Sequence, residues 1–400
     1  MGGFCKNVES PELSPRMCHG VVERMAGPLV WIVQNSELSP AELCVQLTSS
    51  TCLKHLNISR ESTKVFWELE LPPVSNELFK PAVELLGKTK NILHLTDIHL
   101  DLWYTRGTIT SCNEALCCRE DSVDLLNTSA HAGHWASDNG SCDIPLNFVV
   151  DSLKQIAKRH KFDAVFWTGD NVPHDVWNTT QKTNLQHIRA VSDAVKEAFN
   201  DIPVFPVLGN HETHPINLYI PSELSQRTGL NMSWLYEPLI KDYWASWINT
   251  EEAKMTFSKG GYYAKNIDSG WKVIVLNSNI GQKMNFWQAA YPHDPDSQLK
   301  WLIQELDKSE KAGQFVSILG HIPPGYGIYD AWLHNYIRIL NRYQHIINNG
   351  YFGHTHKDEI IVIYNEKKEA INMNYISGSL TTYAFLNPNY AVYEVNEQVS

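Results

Sequence analysis

No run in this chain is apolar for long enough to cross a membrane. A spanning helix needs ~18 or more apolar residues, and the longest candidate, Pro28 to Val33, is far shorter. Basic runs are missing too. The chain has 33 Lys and Arg against 44 Asp and Glu, a net charge of −11, which argues against nucleic acid as a partner. Neither an internal repeat nor a low-complexity tract is present. Met1-Gly2-Gly3-Phe4-Cys5 leads into polar sequence, not a basic segment and an apolar run, so no signal peptide is visible. The expectation is a chain that is truncated or starts late. What is there is 400 residues at 43% hydrophobic content, enough for one sizeable α/β core and a small appendage. Thirteen Trp, among them Trp234, Trp244 and Trp247, fit one or two amphipathic helices, which favours core packing over a lipid-touching surface.

Five short blocks concentrate the residues that bind metals. They are Asp97-Ile98-His99, Gly169-Asp170, Gly209-Asn210-His211-Glu212, Gly320-His321 and Gly353-His354-Thr355-His356. Asp, Asn and His suit hard or borderline divalent cations, and no thiolate is among them. Apolar runs lead into the blocks: Ile92 to Leu95, Ala164 to Trp167, Pro203 to Leu208 and Phe315 to Leu319. Such runs read as buried strands. Helical-period stretches, Phe148 to Lys161 and Asn184 to Phe199, lie between them. Strand alternating with helix argues for α/β layers, in which ligands gather beyond the carboxyl ends of the strands. Glycine in four of the five blocks is expected to permit the tight exit turn. A lone His or Asp after a strand is more often a capping or structural residue; five blocks in order point to one centre. Two cations about 3.5–4 Å apart would clamp a phosphoryl group for in-line displacement.

The order D-x-H, G-D, G-N-H-E, G-H, G-H-x-H resembles the calcineurin-like metallophosphoesterases. The text around the blocks is similar to the acid sphingomyelinase family within that superfamily. Leu95 to Asp101, Trp167 to Trp177, Gly320 to Gly325, Phe352 to Asp358, Thr381-Thr382-Tyr383 and Leu386-Asn387-Pro388 carry the likeness, which spans Asn91 to Val395. The resemblance implies an α/β fold, a metallophosphoesterase β-sandwich core flanked by helices. It implies two zinc ions, although spacing alone would also permit Mn or Fe. Asp170 would bridge them; Asp97, His99 and His356 would complete one site, and Asn210, His321 and His354 the other. Water activated by both ions would attack phosphorus, with His211 and His174 as acids for the leaving alkoxide. For His174 a structural hydrogen bond to Asp175 or a carbonyl is the alternative. The implied reaction is cleavage of sphingomyelin, at a membrane surface, to ceramide and phosphocholine. One competing reading is a related phosphodiesterase acting on nucleotides or other soluble diesters. Another is an inactive lipid-binding protein.

Eight Cys and five N-x-S/T acceptors, at Asn57, Asn127, Asn139, Asn178 and Asn231, favour a secretory route to a lysosomal or extracellular setting. The family pattern implies bridges Cys112–Cys117 and Cys118–Cys142. Zinc binding by these cysteines competes with that reading, but they lack C-x-x-C spacing. Residues 1–60 read as a partial, all-α saposin-like segment. It has a helix presenting Val21, Val22, Met25, Leu29, Ile32 and Val33, and a second opened by the capping box Ser39-Pro40-Ala41-Glu42. Cys5 and Cys18 form one expected pair, whereas Cys44 and Cys52 should have partners in a half that is missing. The half-domain is expected to pack on the catalytic body, pair with another chain, or be disordered. Residues 61–90 read as a Pro-containing linker, and 91–400 as the catalytic domain without the helical C-terminal domain of the family.

Overall fold

The computed structural model describes residues 14–48, 66–73, 89–112, 114–123, 130–137 and 140–396. It opens with helices α1 (Pro15–Asn35) and α2 (Pro40–Thr48). At the start of α2 the Ser39 backbone N–H donates to Glu42 at 2.8 Å and the Glu42 N–H to Ser39 Oγ at 3.3 Å, the reciprocal pair that a capping box predicts. There follow β1 (Thr89–Leu95), α3 (Leu146–Arg159), β2 (Ala164–Trp167), α4 (Gln181–Ala198) and β3 (Val204–Pro206). Shorter helices α5 (Ser222–Thr228), α6 (Ser233–Pro238) and α7 (Glu251–Gly260) precede β4 (Tyr263–Asn266) and β5 (Trp271–Val275). The remainder is α8 (Gln298–Ala312), β6 (Phe315–Leu319), α9 (Asp330–Tyr343), β7 (Ile347–Phe352), β8 (Glu359–Tyr364), β9 (Ala370–Ile376) and β10 (Ala391–Asn396).

The strands form two sheets, one in the order β10-β1-β2-β3 and the other β4-β5-β6-β7-β9-β8. β1, β2 and β3 run parallel, as do β5, β6, β7 and β9; the outer strands β10, β4 and β8 are antiparallel. Side-chain alternation along a strand assigns the layers. On β5, Val273 and Val275 join the core shared with β1, β2, α3 and α4, whereas Ile274 joins a second core with α8 and α9. Phe166 of β2 meets Tyr351 of β7 edge-on at 4.9 Å, which closes the space between the sheets. The result is the expected β-sandwich with helices outside. α3 contributes Val149, Leu153 and Ile156, one helical stripe. Trp244 and Trp247 are buried and Trp234 packs against the same core, so these Trp do serve the core.

Of the three fates expected for the N-terminal helices, packing on the catalytic body is the one found. Ile32 is fully buried in the main core, and Met25, Trp31, Leu38 and Leu43 pack against it. A Cβ at Gly20 would come within 2.2 Å of the Trp177 carbonyl oxygen, so glycine permits the close approach of α1. Arg24 donates to the Thr179 carbonyl at 3.0 Å, and Arg16 pairs with Glu114 and Asp121. Val33, expected on the apolar face, is 54% exposed. Cys18 and Cys44 are both disulfide-bonded, which corrects the expectation that Cys44 lacks a partner; Cys5 and Cys52 lie outside the described residues. Residues 66–73 run along α9, where Arg342 donates to the carbonyls of Pro72 and Pro73 at 3.0 and 2.9 Å. Cys112–Cys117 and Cys118–Cys142 are bridged, which removes the zinc reading of these thiols. Asn178 and Asn231 are exposed; Asn57, Asn127 and Asn139 fall outside the described residues.

Candidate metal centre

The carboxyl ends of five parallel strands, three in one sheet and two in the other, converge on one place. Asp97 and His99 leave β1, Asp170 leaves β2, Asn210 and His211 follow β3, His321 follows β6, and His354 and His356 follow β7. All seven candidate ligands and both candidate acids meet there. The Asp170 carboxylate lies in the middle: its Oδ2 is 3.6 Å from His99 Nε2 and 3.1 Å from His321 Nε2. On the His99 side, His356 Nε2 is 3.2 Å from both His99 Nε2 and Asp97 Oδ1. On the His321 side, Asn210 Oδ1 is 3.0 Å from both His321 Nε2 and His354 Nδ1. Donors bonded to one tetrahedral zinc at ordinary lengths stand about 3.3 Å apart. These spacings fit two neighbouring ions that share Asp170.

The surroundings preset the donors. His99 Nδ1 is 2.7 Å from the Val172 carbonyl and His321 Nδ1 2.7 Å from the Thr168 carbonyl, so each ring turns Nε2 inward. Thr96 Oγ1 donates to Asp97 at 2.6 Å. The fully buried Glu212 carboxylate accepts from the Gly209, Asp170 and Asn171 backbone N–H groups at 2.5, 3.0 and 2.6 Å, clipping the exits of β2 and β3 together. Burial pushes that carboxyl up to about 7, with Asp170 adding to the shift. Burial disfavours charge on His99, yet Asp97, Asp170 and Asp143 hold its ring up at about 9; Asp170 and Asp97 do the same for His321. The carboxylates of Asp97 and Asp170, which favour charge on these two rings, would equally favour a cation set among them. Its donor set of imidazole, carboxylate and amide oxygen suits zinc.

The backbone differs from the expectation built on glycine. Asp97, His99, Asp170, His354 and His356 have φ of 49°, 42°, 57°, 73° and 63°. Side-chain-bearing residues seldom adopt that left-handed region, though Asp, Asn and His do so more readily than others. The candidate ligands therefore make the sharp turns themselves. Of the four block glycines only Gly169 has a positive φ, 92°. Elsewhere glycine supplies space: a Cβ at Gly209 would lie 2.1 Å from Asp170 Oδ1, at Gly320 2.6 Å from Phe352, and at Gly353 2.0 Å from Thr96 Oγ1.

His174 and His211 flank His99, with ring centroids 4.0 and 4.8 Å from it and 4.9 Å from each other. The His211 backbone N–H donates to Asp170 Oδ1 at 2.8 Å. Burial pushes His211 well down and His174 down to about 4, the latter against the pull of Asp143. Asp175 is not the partner of His174: it faces Arg119, whose Nη1 lies 2.5 Å from its Oδ2. The partner is Asp143, 2.9 Å from His174 Nδ1, a residue that sequence reasoning did not single out. It sits beside Cys142 in the insertion, far from any block. Thr381 and Tyr383, noted only for their likeness to a family, also belong here. Thr381 Oγ1 donates to Asp143 at 3.0 Å, and the Tyr383 ring stacks on His174.

Residues 90–358 match the sequence profile described as calcineurin-like phosphoesterase. The sphingomyelin phosphodiesterase of Bos taurus is 34% identical over 390 residues, covering 96% of this chain and 60% of that protein. The Homo sapiens protein of the same name is 36% identical over 390 residues, with the same coverage. Sphingomyelin phosphodiesterase B of Dictyostelium discoideum is 35% identical over 339 residues, 82% of this chain and 50% of that one. The chain thus spans 60% of the length of the bovine and human relatives.

Proposed function

Because the chain belongs to the calcineurin-like phosphoesterases, we propose that it is a metal-dependent phosphodiesterase that cleaves sphingomyelin to ceramide and phosphocholine. The observation that carries this reading is the Asp170 carboxylate set between two groups of inward-turned donors. Asp97, His99 and His356 would hold one zinc ion with Asp170; Asn210, His321 and His354 would hold the other. When bound, such a pair supplies an activated water and neutralises the phosphoryl oxygens. The chain's own residues do the rest. His211 and His174, beside the donors but outside both sets, donate a proton to the alkoxide oxygen as its bond to phosphorus breaks. The carbonyls of Val172 and Thr168 fix the tautomers of His99 and His321 so that both present Nε2.

The substrate class rests on the named sphingomyelin phosphodiesterases, which match 96% of this chain. Two bridges in the insertion fit an oxidising setting, lysosomal or extracellular. The test is to present the purified chain, at acidic pH, with sphingomyelin vesicles and in parallel with a soluble nucleotide diester, and to measure bound metal on the same sample. Phosphocholine release with two zinc ions per chain is expected. Hydrolysis of the nucleotide alone would refute the lipid substrate and leave the chemistry standing. A chain that binds metal and cleaves neither would refute the enzyme reading.

A further inference from the structure

His174 is held on two sides, at its edge by Asp143 and on its face by Tyr383. Asp143 is fully buried. Its Oδ1 and Oδ2 lie 2.9 and 3.0 Å from His174 Nδ1, and Oδ2 also accepts the His174 backbone N–H at 2.8 Å. Thr381 Oγ1 donates to Oδ1 at 3.0 Å, and the Thr381 backbone N–H reaches the Asp97 carbonyl at 3.2 Å. A carboxylate only accepts, so the facing nitrogen carries hydrogen and Nε2 is left to meet a substrate. The Tyr383 ring lies flat on His174, centroids 3.7 Å apart and planes 5° from parallel, while His99 covers the opposite face at 4.0 Å. The Tyr383 hydroxyl donates to the Ala115 carbonyl at 2.9 Å, within the loop closed by Cys112–Cys117. Asp143 itself follows Cys142, which is bridged to Cys118. Both holders are therefore anchored by the disulfide-bearing insertion.

We propose that Asp143 and Tyr383 are positioning residues: the carboxylate fixes the edge of His174 and the phenol ring its face. Nε2 then stands toward the metal centre in one orientation. This rests on the reading of His174 as a proton donor. It assigns the insertion a purpose in the reaction, since the insertion carries Asp143 and tethers Tyr383. Neither side chain hydrogen-bonds any of the seven candidate ligands; both meet His174 directly, and Asp143 also lends its charge to His99.

The test compares Asp143→Asn, Tyr383→Leu, Tyr383→Phe, His174→Ala and the double variant His174→Ala with Asp143→Asn. Each is measured for zinc content and for kcat and KM on two diesters. Sphingomyelin in detergent micelles has an alkoxide leaving group that needs a proton; bis(4-nitrophenyl) phosphate has one that does not. Asp143→Asn and Tyr383→Leu are expected to keep both metals and the sphingomyelin KM. Their kcat on sphingomyelin should fall about 10- to 100-fold, as for other residues that orient a working histidine, with little loss on the aryl diester. Tyr383→Phe keeps the stacked ring but loses its tether to Ala115, so its kcat should fall between those of the wild type and Tyr383→Leu. The double variant should be no slower than His174→Ala, because Asp143 has nothing left to position. Wild-type kcat in Asp143→Asn, equal losses on both diesters, or additive losses in the double variant would overturn the inference. If His174→Ala slows sphingomyelin selectively while Asp143→Asn and Tyr383→Leu do not, positioning alone fails. If His174→Ala slows both diesters alike or loses zinc, the proton-donor reading fails and this inference with it. Should Asp143→Asn not fold, the two Tyr383 variants decide the matter.

Discussion

Asp296→Asn should make this protein more stable at neutral pH, with a gain only about a quarter as large at pH 4.5. Asp296 lies in the turn before α8, 2% exposed, with Oδ1 accepting the Ser222 backbone N–H at 2.9 Å. Burial pushes its carboxyl up to about 7; Ser222 and Lys259 oppose the shift, and Glu223 adds to it. The folded chain thus keeps a proton that an unfolded Asp releases above about pH 4. Stability is lost as pH rises from about 4 to about 7, and the loss levels off beyond. At about 1.4 kcal/mol for each tenfold change in proton affinity, that window sets a ceiling of about 4 kcal/mol; relaxation and water entry bring the expected gain nearer 2 kcal/mol. Asn cannot ionise, matches the shape of Asp, and tolerates the φ of 54° at this position. The assay is urea unfolding of both chains at pH 4.5, 6 and 7.5. Taking the difference between the chains cancels ionisations at the metal centre. A difference that stays the same at all three pH values would refute the reasoning.

Three further outcomes follow from the site. Asp170→Ala removes the carboxylate between the two donor groups and should abolish activity together with most bound zinc; an active, two-zinc variant would sink the shared-ligand assignment. Gly353→Ala places a Cβ 2.0 Å from Thr96 Oγ1 and 2.6 Å from Asp97 Oδ2. Metal titration should therefore show weaker zinc binding, and an unchanged titration would mean that the β7 exit shifts freely. His211→Ala should keep its metal yet lose about 10²- to 10⁴-fold in kcat on sphingomyelin, with a much smaller loss on an activated aryl diester; equal losses would argue against proton donation.

Much of this was legible in the sequence because period and order carried it. Ala164 to Trp167 and Phe315 to Leu319 read as buried strands and are so, since strands buried on both faces leave continuous apolar runs. Ser39 to Glu42 announced its helix by local chemistry alone. What escaped was set by long-range geometry. Asp175, next to His174 in the chain, turns to Arg119, whereas Asp143 arrives from the insertion to take the ring nitrogen. The glycines were read as sources of backbone freedom, but all four are required for room and only Gly169 also uses a positive φ. Which carbonyl or carboxylate will press on an absent Cβ is fixed only when two sheets meet.

β1 carries Asp97 and His99, and it lies between β2 and β10. Its register with β2 sets Leu95 beside Trp167, and its register with β10 sets Thr89 beside Asn396. One neighbour is made soon after β1; the other comes last among the described strands. During synthesis, every candidate ligand and the four bridged cysteines of the insertion would leave the ribosome before β10, which pairs with β1 under Asp97. Pairings of such long sequence separation form slowly, because the intervening chain must first be gathered in. Until then β1 has an open edge able to pair with another chain. A nascent molecule would thus hold the full set of candidate donors on an unfinished platform. Its vulnerability to misassembly would be decided by how quickly β10 arrives.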